Sequence, residues 1–533
     1  MKKLKIISII CATFMLLGCL GAFPAIAATP GWASEGGTGT AEDPFILNQN
    51  NFETWVLSNS VTSAYMGSHY KLTSDIDLNP GWTASATEPT TNVWTSPIGE
   101  KNAFSGVFDG NGYAISGIYL KWAGKCGLFY QISEGAEVKN LRIVNSYIEC
   151  TDYTSTYVEN GSFAGRVLGT ISNCYSNAIL VHNNSSNKIN HATGGIAGLA
   201  NSTTAKISNC VFDGTITGVG RLGGILGSVN GSMSVEISNC LNLGSISSEK
   251  TQYVGGIVGR PSASTLLNKC INLSANISDK DGNPSDFVGG GTNKNLPDSS
   301  LPDVLTITDC IVVKGFSVGD ENFVASYPAD YTGEGTTPLW DVTTLTIDEL
   351  LSENITKAGG ALEGWTYRKN CIPTPTDITP PIEAAKYVID LIGIENMLGL
   401  AMTGGSARAD GYRFTATVNA GLLKALLKLG VSVKAMGTYV TLAENVTDAA
   451  SFTPAALTAA GKTYKDISSN AGFYELPAEK DSYATIAGSV ITTKTDVFAA
   501  RAYVTVSYGG QNHTYLAAWS VETGTAPFVA PQS

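Results

Sequence analysis

The stretch "VEISNCLNLGSI", Val235 to Ile246, decides the fold. Its centre, Ile-Ser-Asn-Cys, occurs three times, at Ile171–Cys174, Ile207–Cys210 and Ile237–Cys240. Degenerate copies follow at Leu267–Cys270 and Ile307–Cys310. The five cysteines lie 36, 30, 30 and 40 residues apart. Structural zinc favours closely spaced ligand pairs converging from two loops. Beyond the N-terminal Cys11 and Cys19, the nearest cysteines are 24 residues apart, as in Cys126 and Cys150, so the spacing does not indicate zinc.

A larger unit surrounds the motif. Gly194-Gly-Ile-Ala-Gly198 precedes Cys210, Gly223-Gly-Ile-Leu-Gly227 precedes Cys240, and Gly255-Gly-Ile-Val-Gly259 precedes Cys270. A worn copy, Gly161-Ser-Phe-Ala-Gly165, precedes Cys174. A short β-like run follows each motif, as in Gly244-Ser-Ile246. Irregular repeats of this size, read as three short strands each, predict a parallel β-helix with one coil per repeat.

The frame extends upstream through Val138-Lys-Asn-Leu141 and, on the same reading, Ile115-Ser-Gly-Ile118. Its third position holds Gly117, Asn140, Asn173, Asn209, Asn239, Lys269 and Asp309. Gly, Asn and Asp enter the left-handed backbone region most cheaply, so this position is a bend between strands. The fourth position holds Ile118, Leu141, Cys174, Cys210, Cys240, Cys270 and Cys310. These residues share burial rather than reactivity, which predicts a ladder of core side chains, the thiols acting as small hydrophobes. Disulfides within the ladder are disfavoured, because stacked side chains present parallel Cβ vectors. Seven rungs at ~4.8 Å make a column roughly 30 Å long.

The N-terminus reads as an export signal. Met1-Lys-Lys-Leu-Lys5 is basic, Ile6–Leu20 is apolar, and Ala25-Ile-Ala27 fits a cleavage site. Cleavage after residue 27 leaves 30 Lys and Arg against 45 Asp and Glu. So acidic a chain argues against nucleic acid or anionic lipid as its main partner. Leu16-Leu-Gly-Cys19 is close to a lipobox that would lipidate Cys19, but its second leucine fits poorly and simple cleavage is expected. No later segment is long and apolar enough to span a membrane. In "NFETWVLSNSV", Phe52, Trp55, Val56 and Leu57 predict a short amphipathic helix over the open end of the coils.

The domain reading is a β-helix over residues 29–372, a proline-rich linker over 373–383 and a β-rich domain over 384–533. In the last part, "LLKALLKLG" (Leu422–Gly430) reads as a helix, and Val497–Trp519 reads as a hairpin turning at Gly509-Gly510. The fold class is therefore all-β: a parallel β-helix followed by a smaller β-sandwich-like domain.

Gly195-Ile-Ala-Gly198, Gly224-Ile-Leu-Gly227 and Gly256-Ile-Val-Gly259 resemble the GLUG motif of exported bacterial surface proteins. "GTGTAEDPFIL" (Gly37–Leu47) and "FSGVFDGNGYAISGIYL" (Phe104–Leu120) resemble the opening coils of such proteins. The resemblance covers roughly residues 35–372. It implies a single-stranded right-handed β-helix and a secreted or cell-surface location. Some GLUG-bearing proteins are metalloproteases of the immunoglobulin A protease type. Those need His-Glu-x-x-His, which this chain lacks. Others look like adhesins or wall-associated proteins. "GYRFTATVN" (Gly411–Asn419), "KTYKDI" (Lys462–Ile467) and "FAARAYVTV" (Phe498–Val506) are similar to an uncharacterised module on exported proteins of Gram-positive bacteria. That likeness implies no activity.

Candidate chemistry is sparse. The four histidines, His69, His182, His191 and His513, show no metal-ligand spacing. His182 and His191 sit in the polar "VHNNSSNKINH" and are read as solvated. Glycosidase chemistry needs two facing carboxyls. Asp75 and Asp77 in "SDIDL" are the catalytic candidates to weigh, with Asp109 in "FDGNG" beside them. Bend or surface carboxylates are the favoured reading of all three. Asp279, Asp281 and Asp286 in "SDKDGNPSD" resemble a calcium loop without its full spacing or terminal Glu, so calcium is the only cofactor left open. Tyr147, Tyr153, Tyr157 and Tyr253 are candidate surface aromatics for a sugar or a protein. The expectation is an exported, non-catalytic binder of a glycan or surface protein. The alternatives are a polysaccharide lyase or glycosidase on the same helix, or a stalk that presents the C-terminal domain.

Overall fold

The computed structural model describes residues 30–523 with internal interruptions, the longest at 290–304, 324–339, 352–362, 388–399 and 470–481. Shorter interruptions include 152–157, 184–190 and 279–286. The export signal, Cys19, Tyr153, Tyr157, Asp279, Asp281, Asp286 and most of the helix read at Leu422–Gly430 lie outside the described residues.

The chain is all-β and mostly a parallel β-solenoid, with antiparallel sheets towards its C-terminus. One coil runs through Thr170–Ser172, Tyr175–Ser176, Ile179–Asn183, Ala192–Gly194 and Ala197–Ala200, and the next begins at Ala205–Ser208. A coil therefore carries five short strand segments, not three. The extra two arise because the Asn bend and the Gly-Gly corner each break a strand in two. Among the described residues five coils carry both strands of that corner, in stacks running Lys125–Cys126 to Tyr253–Gly255 and Phe129–Ile132 to Val258–Arg260.

Register follows the Ile-Ser-Asn-Cys frame. Val138 pairs with Ile171, Ile171 with Ile207, Ile207 with Ile237, Ile237 with Leu267 and Leu267 with Ile307. All six are buried. Asn140, Asn173, Asn209, Asn239, Lys269 and Asp309 take φ between 51° and 53°. The asparagines do more than turn the chain. Asn209 Nδ2 donates to Asn173 Oδ1 (2.9 Å), Asn173 Nδ2 to Asn140 Oδ1 (3.1 Å), and Asn140 Nδ2 to Asp109 Oδ1 (2.9 Å). Lys269 takes the strained conformation with a side chain that does not favour it. Lys269→Asn is expected to gain about 1 kcal/mol in urea unfolding.

Leu141, Cys174, Cys210, Cys240, Cys270 and Cys310 are fully buried. The five cysteines are free thiols. Each Sγ points at the carbonyl two residues back, at 3.2 Å for Cys174 and Cys210 and 3.3 Å for Cys240. Burial pushes the Cys210, Cys240 and Cys310 thiols well above their ordinary value, which suits them to packing.

Gly117 and Ile118 do not belong to this frame. Val138 pairs with Phe108, whereas Ile115 pairs with Ile143. Between Asp109 and Ala114 the chain inserts two more residues than between their partners Lys139 and Arg142. They form a turn at Asn111 (φ 52°) and Gly112 (φ 84°). Gly117 (φ 75°) lies at the next bend, its N–H donating to Asn145 O at 3.1 Å, and Ile118 is buried one strand further on.

Helix Phe52–Asn59 buries Phe52 and Trp55 but leaves Leu57 about half exposed. Trp55 packs on Tyr70 and Phe108 at 5.0 and 5.6 Å between ring centroids. The first coils therefore close on an aromatic core rather than an open edge. A disulfide, Cys126–Cys150, ties successive coils together from fully buried positions. Cys126→Ala/Cys150→Ala is expected to lose about 3 kcal/mol in urea unfolding, because the bridge closes a 24-residue separation.

Beyond residue 400 two antiparallel sheets form, of three and four strands. Val497–Tyr508 and Gln511–Thr523 make the hairpin, turning through Gly509 (φ 59°) and Gly510 (φ 73°). Two consecutive positive φ values give the turn whose twist matches paired strands. These sheets share one apolar cluster with the solenoid. Val211, Leu241, Ile271 and Ile311, on the coil strands just past the cysteines, cluster with Phe414, Val440, Val504 and Trp365.

Candidate binding face

The Gly-Gly-Φ-Φ-Gly unit builds a tight corner. Ile196, Ile225, Ile257 and Phe163 point into the core from its centre and are fully buried. The last glycine lets its strand lie against the backbone of the preceding coil. A Cβ on Gly198 would sit 2.5 Å from Asn160 N, on Gly227 2.5 Å from Thr193 N, and on Gly259 2.6 Å from Leu222 N. Only glycine permits that approach.

The corner opposes two residues of each coil that are six or seven apart in sequence. Down one stack run Lys125, Glu159, Ala192, Arg221 and Tyr253. Down the other run Gln131, Arg166, Leu199, Ser228 and Arg260. The two stacks meet rung by rung. Lys125 Nζ donates to Gln131 Oε1 at 3.4 Å. Arg166 grips Glu159 with both Nε (2.7 Å to Oε2) and Nη2 (to Oε1). Arg221 Nη1 donates to Ser228 Oγ at 3.3 Å. The Arg260 guanidinium lies 5.6 Å from the Tyr253 ring centre, and Lys125 Nζ lies 4.4 Å from that of Tyr130.

Glu159 is the buried charged residue of this set, and Ala192 and Ser228 are buried with it. Burial raises its carboxyl above the ordinary value, against the opposing pull of Arg166 and Lys125. Burial and the nearby Arg166 charge lower Lys125, while Glu159 raises it. Lys125, Gln131, Arg166, Leu199, Arg221, Tyr253 and Arg260 are half-buried, so solvent reaches both stacks. The face sets four cationic side chains against the Glu159 carboxylate, in a chain whose net charge is −12.

The residues read as candidate chemistry sit elsewhere. Asp75 is exposed, and its Oδ1 accepts the Ala114 N–H at 2.8 Å. Asp77 Oδ1 accepts the Asn79 N–H at 3.2 Å. Asp109 Oδ1 accepts from Asn111 N–H (2.8 Å) and from Asn140 Nδ2. All three tie down bends. Among the described residues no group of three or more His, Cys, Asp or Glu is placed to hold a metal ion.

His182 and His191 are not solvated. They are 2% and 0% exposed, with ring centroids 4.6 Å apart. His191 Nδ1 accepts the Val158 N–H at 2.8 Å, and His182 Nδ1 lies 3.0 Å from Val219 O. Buried backbone groups beside the loop need polar partners, and the imidazoles supply them. Tyr147 is also covered. It stacks on Tyr119 (5.7 Å) and donates its hydroxyl to Glu149 Oε2 at 2.7 Å. Tyr253 is the named tyrosine that lies on the paired face. The arginines of that face were overlooked by sequence reasoning, although the signal was present. They stand two residues before the Gly-Gly pair or directly after the final Gly of the repeat.

No family model matches the chain. A "Gly-rich membrane protein" of Evansella cellulosilytica is 28% identical over 186 residues, covering 32% of this chain and 19% of that protein. "Halomucin" of Haloquadratum walsbyi is 27% identical over 175 residues, covering 32% of this chain and 2% of that protein. The chain thus matches a small part of each relative's length. Among the described residues no helix is long and apolar enough to cross a membrane.

Proposed function

We propose that the chain is an exported surface protein of the GLUG type that binds an extended glycan along the paired face and does not turn it over. The carrying observation is the contrast between frame and face. In the best-kept repeats Gly-Gly-Ile-Φ-Gly stays fixed, while the flanking pair changes from Ala192/Leu199 to Arg221/Ser228 to Tyr253/Arg260. Ala192 and Ser228 are buried, while Leu199, Arg221, Tyr253 and Arg260 reach solvent, so a framework that holds its core varies the side chains it presents. Rungs ~4.8 Å apart offer one contact pair at about the repeat of a sugar in an extended chain. Tyr130 and Tyr253 provide half-buried rings towards the two ends of the face. The relatives' names support a surface setting: one contains "membrane" and the other is a halomucin.

The test is retention of the full chain on immobilised plant, host and bacterial polysaccharides, with product analysis in parallel. Retention without oligosaccharide release, with and without calcium, supports the proposal. Release of oligosaccharides replaces it with the enzyme reading. Retention on none of the polysaccharides overturns it.

A further inference from the structure

We infer that His182 and His191 form an acid-sensitive latch, which holds the first residues of three paired-face strands in place at neutral pH and releases them as pH falls towards 5. The backbone assigns the two rings opposite tautomers. His191 Nδ1 accepts the Val158 N–H, so the neutral ring carries its proton on Nε2. A carbonyl can only accept, so His182 Nδ1 carries the proton it donates to Val219 O. The following coil is shaped around the pair. A Cβ on Gly218 would lie 2.9 Å from His182 Cβ, and one on Gly220 (φ 109°) would lie 2.5 Å from His191 O. The latch reaches three rungs. Val158 immediately precedes Glu159, and its carbonyl accepts the Ala192 N–H (2.9 Å), while the His191 carbonyl accepts the Arg221 N–H (2.8 Å).

Proton uptake is obstructed at both rings. A proton on His191 Nδ1 removes the acceptor of the Val158 N–H, whatever else the ring touches, and strands that donor in the interior. A proton on His182 Nε2 leaves Val219 engaged but buries an imidazolium with a second ring centred 4.6 Å away. Among the described residues, the charged groups on the strands around the pair engage other partners. Glu149 accepts from the Tyr147 hydroxyl and pairs with Lys121, Glu159 is gripped by Arg166, Lys125 donates to Gln131, and Arg221 donates to Ser228. Cys150, which pairs with His182 in register, is closed in the disulfide. The unfolded chain takes up protons at both histidines near the ordinary value of ~6.5. The folded corner takes them up only on opening. Rings held neutral therefore contribute stability that is full above that value and is lost as pH falls below it, by about tenfold in the folded-to-unfolded ratio per pH unit for each ring.

Hydrogen exchange of the full chain, read by mass spectrometry and corrected for the intrinsic pH dependence of exchange, tests the latch without any ligand. Between pH 7 and pH 5, protection at residues 158–161, 191–194 and 221–223 is expected to fall about tenfold or more beyond any fall at residues 235–238 and 265–268, in the sheet of the Ile-Ser-Asn-Cys frame. His182→Asn/His191→Asn places a side-chain amide that does not titrate where each Nδ1 stands, and is expected to abolish the difference. His69 and His513 remain in that variant, so their contribution cancels. Equal loss in both regions of the parent, or the same selective loss in the variant, overturns the inference. Should the variant not fold, long-range proton–nitrogen spectra of the histidine-labelled parent decide. His182 as the Nδ1–H tautomer and His191 as the Nε2–H tautomer at pH 7 sustain the latch. Any other pair of tautomers, or a protonated ring at pH 5 with protection intact, overturns it. No ligand enters these measurements, so failure of the latch leaves the proposed glycan binding standing, and failure of that binding leaves the latch standing.

Discussion

Gly227→Ala is expected to destabilise the protein by about 3 kcal/mol or more, a larger effect than adding one methyl group usually has. The added Cβ would lie 2.5 Å from Thr193 N, 2.7 Å from Gly198 O and 2.8 Å from Ala192 C. All three are backbone atoms of the preceding coil, so no side chain can swing aside. Relief requires the Leu226–Val229 strand to lift off its neighbours, which breaks the pairing of Leu226 with Ala197 and Val229 with Ala200. It also displaces Arg221 and Ser228, so polysaccharide retention falls even at temperatures where the variant stays folded. Gly31→Ala is the control: nothing lies within 4 Å of a Cβ there, and its effect stays within about 0.5 kcal/mol. Urea unfolding midpoints compare the two. A Gly227→Ala protein as stable as the parent would sink the account of the corner.

The inward side of the coils was legible because it repeats in chemistry. Ile237, Asn239 and Cys240 recur with their own kind, and each kind has one physical reason to recur: burial, a positive φ, and burial again. Legibility failed where a match was local. Ile115-Ser-Gly-Ile118 looks like Ile-Ser-Asn-Cys, but the turn at Asn111 and Gly112 shifts it one strand onward. Only the pairing of Phe108 with Val138 reveals the shift. The paired face was hidden for the opposite reason, because its positions do not repeat in chemistry. That Arg221 stacks on Ala192, and Ala192 on Glu159, is a property of coil register rather than of residue type. His182 and His191 misled because a polar loop predicts solvent for the loop, not for residues at its ends. Cys126 and Cys150 gave no spacing signal, since their bridge depends on the coils lying one above the other.

Arg166→Met is expected to destabilise the protein by about 3 kcal/mol at neutral pH, because it leaves Glu159 buried with Lys125 as its remaining nearby cation. The cost comes from stranding a charge, not from losing a favourable contact. Glu159→Leu/Arg166→Met is therefore expected to recover most of it, so the two substitutions will be strongly non-additive. The pH dependence follows from the direction of the Glu159 shift. Its folded value lies above the ordinary 4.5, so folding favours the protonated form. The stability this contributes is fully present below the unfolded value and is lost as pH rises through the folded one. Removing Arg166 moves the folded value higher still and widens that window. The gap between parent and Arg166→Met should then be largest near pH 8 and narrow towards pH 4, where the carboxyl is neutral in both. Urea unfolding across that range measures it. A gap that does not change with pH, or a double variant no more stable than Arg166→Met, would show that Glu159 is not the buried charge on which this end of the face depends.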